Sequence, residues 1–149
     1  MGSGVWDTGV HSGKLAAAIA SGRTTFGHTH DLHAMPSGTW KAHETLDPKG
    51  VGVRESRDSD EHPNSVPITV VFDVTGSMGE IPRVLQQKLP ALHGLLQRKG
   101  YVEDPQVMFG AVGDATCDRV PLQMGQWESD NRMDDTLANI FLEGGGGGG

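Results

Sequence analysis

Cysteine is almost absent: Cys117 is the one thiol in 149 residues. One thiol excludes an internal disulfide and fits a reducing compartment, so a cytoplasmic protein is expected. Basic residues are outnumbered, 12 Lys and Arg against 19 Asp and Glu, for a formal net charge of -7. Such a balance lacks the basic face that holds nucleic acid by its phosphates, and no nucleic-acid partner is expected. Aromatic residues make up 5% of the chain. Trp6, Trp40 and Trp127 have no basic residues interleaved with them, which reads as packing rather than a platform for stacked bases. Long apolar runs are also missing. None approaches the roughly 20 residues of a membrane-crossing helix, and no membrane association is expected. The N-terminal Met1-Gly2-Ser3-Gly4-Val5 has neither the charged nor the apolar region of a secretory signal.

What is present divides at about residue 65. In residues 1–65, the stretch 13–21 reads as a short helix, with Ser12 as its N-cap and Gly22 as its stop. From 23 to 65 the chain is polar, punctuated by Gly, Pro, Ser and His, and nearly without periodicity. It cannot bury enough apolar surface to order itself alone, so it is an irregular arm, either loosely ordered or packed as a lid on the later domain. His28, His30, His33 and His43 fall in this arm. They read either as a transition-metal cluster or as a solvated His-rich loop, and no Cys partner or second paired element supports the metal reading. The mixed charges of 54–64 read as a solvated linker, with a domain boundary near 62–66.

The most informative stretch is 66–79. Val66-Pro67-Ile68-Thr69-Val70-Val71-Phe72 is an apolar, β-branched run that ends in a carboxylate, Asp73. It is not strictly alternating, the pattern of a strand covered on both faces in a parallel sheet. Pro67 sits near its start, where a missing N–H costs little. A helix over 80–99 follows, with Pro82 in its first turn and Ile81, Val84, Leu85, Leu89, Leu92, Leu95 and Leu96 at three- and four-residue spacing. Pro90 lies inside it and should kink it. Residues 106–112 form a second strand and 120–127 a third, paired with the second as a hairpin. Asp130 or Asn131 caps a last helix to about residue 142, with Met133, Leu137, Ile140 and Phe141 inward. The order is β-α-β-β-α, then the glycine run 144–149. The expected fold is α/β, a partial Rossmann-like sheet with helices on both faces, spanning 66–149.

A strand feeding a helix puts its last residues at the carboxyl edge of the sheet, where open α/β sheets bind ligands. Asp73, Thr75 and Ser77 are spaced by two, so a tight turn can aim three oxygens at one point. A carboxylate with hydroxyls and no soft ligand suits a hard cation such as Mg²⁺ or Mn²⁺. Gly76 and Gly79 allow the sharp turn. The positive end of the following helix favours an incoming anion that completes the metal's shell.

The segment Asp73-Val74-Thr75-Gly76-Ser77-Met78 resembles the first loop of the metal-ion-dependent adhesion site of von Willebrand factor A (VWA) domains, Asp-x-Ser/Thr-x-Ser. The β-α-β-β-α order of about 80 residues is similar to the first half of that fold. The resemblance implies metal ligation by Thr75 and Ser77, with Asp73 binding directly or through water. It implies a non-enzymatic, metal-dependent protein-binding module, whose partner presents an acidic side chain. Bacterial and phage members often work beside AAA-type ATPases. Gly144 and Gly145 fall where the family's second loop lies, without that loop's Thr, and the later strands and third loop lie beyond residue 149. The resemblance thus implies a truncated domain whose first strand has an open edge prone to self-association.

Other readings stand beside this one. Asp114, at the end of the second strand, reads either as an acceptor for metal-bound water or as a turn cap. Glu128, Asp130, Asp134 and Asp135 read as acids favouring a helix N-terminus. Asp-x-Thr-Gly-Ser after an apolar strand also resembles the loop of aspartyl-nucleophile phosphohydrolases, Mg²⁺-dependent enzymes in which the Asp attacks phosphorus. A third reading is a structural component of a larger assembly, with a vestigial metal site.

Overall fold

The computed structural model describes residues 4–22, 25–50, 52–75 and 80–144. Its elements run α1 (Thr8–Ala20), α2 (Gly27–His33), a short 3₁₀ turn (Ser37–Thr39), β1 (Ser65–Asp73), α3 (Glu80–Arg98), β2 (Asp104–Val112), β3 (Leu122–Met124) and α4 (Arg132–Ala138). The architecture is α/β. Three strands form a mixed sheet in the order β1-β2-β3. β1 pairs with β2 in parallel, Ser65 opposite Asp104 through Asp73 opposite Val112. β3 returns antiparallel, with Val112 opposite Leu122. No helix among the described residues is long and apolar enough to cross a membrane.

Alternation along the strands decides what each face meets. Ile68, Val70 and Phe72 of β1 and Val107, Phe109 and Ala111 of β2 point to one side and join one apolar cluster. Leu85, Leu89, Leu92 and Leu96 of α3 belong to the same cluster, as do Met133 and Leu137 of α4. Both helices therefore cover the same face. The expectation of helices on both faces is corrected, and so is that of a doubly covered β1. On the opposite face Val71 is 46% exposed and Val112 39%. An extended segment of the arm crosses that face beside Gln106 instead. The Gln106 side chain accepts the Arg57 N–H and donates to the Arg57 carbonyl, and it also accepts the Ser56 hydroxyl. A sheet this small has too few helices to bury two sides, so the one without leucines against it stays partly wet.

The arm is part of this core. Phe26 and Leu46 are fully buried and Trp6 nearly so, all in the cluster that holds Phe72 and Phe109. Three side-chain amides fasten irregular segments by imitating a β-ladder. Gln106 does so with Arg57. Gln126 accepts the Glu55 N–H and donates to the Val53 carbonyl. Gln123 accepts the Phe141 N–H at 2.8 Å and donates to the Phe141 carbonyl at 2.9 Å. A primary amide has one donor side and one acceptor side, so it can satisfy both groups of one peptide where no strand is available.

Element boundaries differ from the sequence reading for local reasons. α1 begins at Thr8, not near Ser12, because the Asp7 carboxylate caps it by accepting the Val10 N–H. α3 runs unbroken through Pro90. Its buried side is narrower than the apolar stripe, leaving Ile81, Val84 and Leu95 exposed. α4 ends at Ala138 rather than near residue 142, because Gln123 takes the Phe141 N–H and the Thr29 hydroxyl takes the Leu142 N–H. β3 spans three residues where eight were expected.

Candidate functional site

Asp73 closes β1 at the carboxyl edge, opposite Val112. The chain follows β2 for one residue more, since the Val74 N–H donates to the Val112 carbonyl at 3.0 Å. It then bends, and the Thr75 N–H donates to Asp73 Oδ1 at 2.7 Å. This is an Asx turn, the local hydrogen bond by which a short acid fixes the next two residues. Hydrogen bonds from the Thr75 hydroxyl and N–H hold the Asp73 carboxyl below the usual carboxylate range. An ionised carboxylate and a hydroxyl two residues on are hard oxygen donors. Ser77, Gly76 and Gly79, the rest of the motif, lie outside the described residues.

Asp114 ends up in a turn of its own. Its Oδ1 accepts both the N–H and the hydroxyl of Thr116, at 2.7 and 2.6 Å. These bonds, with smaller ones from Cys117, hold its carboxyl below the usual range. Its own N–H donates to Asp118 Oδ2. Gly144 is tied to the far side of the same edge, because the preceding Glu143 carboxylate accepts the N–H groups of Arg119 and Val120. Gly144 takes φ +72° with open space around its α-carbon, and Gly145 lies outside the described residues. Among the described residues no group of three or more His, Cys, Asp or Glu side chains is arranged to hold a metal. The arm histidines serve its packing and hydrogen bonding. His28 donates through Nε2 to the Lys41 carbonyl, and His33 Nε2 bonds the Glu143 carbonyl beside the ring of Phe141.

A concavity lies elsewhere. A cleft of about 640 Å³ opens among the four helices, lined by His11 and Lys14 of α1, His28 and Asp31 of α2, Gln86 of α3, Asp134 and Asp135 of α4, and His43 from the arm. At its side Asp134, 7% exposed, gathers three donors: Trp6 Nε1 at 2.9 Å, His11 Nδ1 at 3.1 Å and Asn131 Nδ2 at 2.7 Å. The reading of Asp134 as an acid favouring a helix N-terminus is thus incomplete, since its carboxylate is a buried hub. The sequence carried only a faint signal for this cleft. The one buried residue of the alanine-rich α1 is polar, His11.

Comparison with protein-family models, with curated proteins and with solved structures returned no match to this chain. What fold and site define by themselves is a class, an α/β chain with a small mixed sheet and an acid-hydroxyl turn at the carboxyl edge of its parallel pair.

Proposed function

We propose that the strand-end turn is a metal-dependent protein-binding site of the adhesion type. Mg²⁺ or Mn²⁺ would be held by Asp73, Thr75 and Ser77 and completed by an acidic side chain of a partner protein. One observation carries the reading: a carboxylate at the end of a parallel strand, onto which the Thr75 N–H closes a turn at 2.7 Å. The Thr75 hydroxyl, one turn away, has oxygen lone pairs to offer a cation. Mg²⁺ retains several waters and takes few protein carboxylates, so this donor set fits it and leaves positions for an incoming acid. The bound ion supplies the positive charge that attracts that acid. Asp73 sets the net charge of the site, and Thr75 fixes the direction of the carboxylate through the turn. Calorimetric titration with Mg²⁺ and Mn²⁺ tests this on the parent chain and on Asp73→Ala. Saturable heat in the parent alone supports the reading, and equal heats in both remove it.

A further inference from the structure

We propose that Trp6 and α1 form an acid-released flap, held closed at neutral pH by the buried rings of His11 and His93. α1 rests lightly on the rest of the protein. Of its 13 residues only His11 is buried. Polar contacts hold its start: Asp7, its N-cap, exchanges hydrogen bonds with Asn131, and Lys14 Nζ reaches Asp135 Oδ1 at 2.7 Å and the Asn131 carbonyl at 3.1 Å. Farther along, Leu15, Ala17 and Ala18 line the cleft. A helix of this length is marginal without tertiary packing, and an element with so little buried apolar contact opens at lower free energy than a core strand.

The Trp6 ring lies beside two imidazoles, His93 of α3 with centroids 4.9 Å apart and His11 of α1 at 5.4 Å. Both histidines are buried, and the Nε2 of each has no hydrogen-bond partner among the described residues. An imidazolium carries an N–H on both nitrogens, so a charged His93 holds a buried donor that nothing among those residues accepts. Burial accordingly pushes the His93 pKa down, although Asp134 of α4 opposes it. With Trp6 swung away, water reaches the ring, which regains an ordinary value of about 6.5. Opening therefore takes up a proton. By pH 5.5 one such group favours the open form about tenfold. The other charges facing this point do not cancel the effect. Asp134 already accepts from Trp6, His11 and Asn131, so a charged His93 competes with the indole for it. Lys14 and Asp135 are paired with each other. His62 works at the far end, where its Nε2 lies 2.7 Å from the Gly4 carbonyl and its Nδ1 3.2 Å from Asp104. Burial disfavours its charge, but these partners outweigh that and raise its pKa, so its hold is complete in mild acid. The flap thus stays tied at Gly4 while Trp6 and α1 move out, and the cleft behind α1 widens.

The test is fluorine NMR of the full chain labelled with 5-fluorotryptophan, titrated from pH 7.5 to 5. The Trp6 resonance is assigned by its loss in Trp6→Phe. It alone should move to the position of a solvated indole, with a midpoint below about 6.5, while those of Trp40 and Trp127 stay in place. In His93→Leu, which cannot take up the proton, the movement should disappear or shift to lower pH. A second measurement needs no variant: amide hydrogen exchange, corrected for intrinsic rates, should show the protection of α1 falling about tenfold between pH 7.5 and 5.5 with that of β2 unchanged. If His93→Leu fails to fold, this measurement decides. A Trp6 resonance that does not move, one that moves together with the other two, an unaltered transition in folded His93→Leu, or an α1 whose protection is absent at pH 7.5 or does not change with pH overturns the proposal.

Discussion

The indole N–H of Trp6 donates to the carboxylate of Asp134 at 2.9 Å, joining positions 128 apart in the sequence. The same carboxylate holds His11 and Asn131, and Asn131 in turn exchanges hydrogen bonds with the backbone N–H and carbonyl of Asp7. Trp6, Asp7 and His11 are therefore fixed to the start of α4 by a buried polar hub. Asp134→Ala would strand three donors at once and should cost about 3 kcal/mol or more in urea unfolding. Trp6→Phe, which keeps most of the ring and removes one bond, should cost about 1 kcal/mol. Equal small losses for both would show that the hub contributes little.

The amide ladders give a second expectation. Gln123 is fully buried, and Phe141 relies on it for both peptide groups. Gln123→Leu conserves volume but leaves the Phe141 N–H and carbonyl unmet, so a loss of about 2 kcal/mol is expected. Gln123→Glu restores the acceptor and sets a carboxylate against the Phe141 carbonyl, so it should not rescue stability at neutral pH. The same urea titrations check both.

Stability should fall in mild acid. Burial lowers the pKa of His93 despite the opposing Asp134, and burial with the nearby His28 lowers that of His43. A histidine whose folded pKa is depressed resists a proton that the unfolded chain accepts. Its contribution is complete above the unfolded value of about 6.5 and shrinks as pH drops below it. His62 has the opposite sign. Burial alone would lower its pKa, but the Gly4 carbonyl and Asp104 outweigh that and raise it, so its contribution is held below about 6.5 and lost as pH rises through the folded value. Melting temperature measured from pH 8 to 5 should therefore show a smaller acid loss in His93→Leu than in the parent. His93 Nε2 is buried without a partner among the described residues, so this variant should also be no less stable than the parent by more than about 1 kcal/mol at pH 7.

β1 pairs with β2 on one side and, among the described residues, with no strand on the other. Val66 and Val71 on it are 41% and 46% exposed. An unpaired apolar edge recruits other strands, and a lysine on it is a common safeguard. Light scattering should show concentration-dependent association of the parent, reduced in Val71→Lys. A strictly monomeric parent at high concentration would count against an adhesive edge.

The regular elements of the second half were legible because their signals are local. The β-branched run before Asp73, the leucine spacing of α3 and the inward Met133, Leu137, Ile140 and Phe141 each speak through near neighbours in sequence. The arm was not, because its contribution rests on lone residues. Phe26 and Leu46 are isolated apolar positions in polar surroundings, and no window average reveals that both become fully buried. The covering of the sheet was misjudged for a related reason: Val66 and Val71 have the composition of a core strand, yet which face a helix reaches is decided by distant segments. At the strand end, the order Asp73-Val74-Thr75 was enough to foresee a turn, which the Asp73 carboxylate closes on the Thr75 N–H. The helical cleft, whose walls come from four separate elements and the arm, left almost no trace.

Sharing one apolar interior between the first 65 residues and the sheet has a practical result. Subcloning from Ser65 onward would discard Trp6, Phe26 and Leu46 together with the backbone partners of Gln106 and Gln126. Such a shortened product should come out insoluble or need refolding, and the expression boundary for this protein belongs upstream of Gly4.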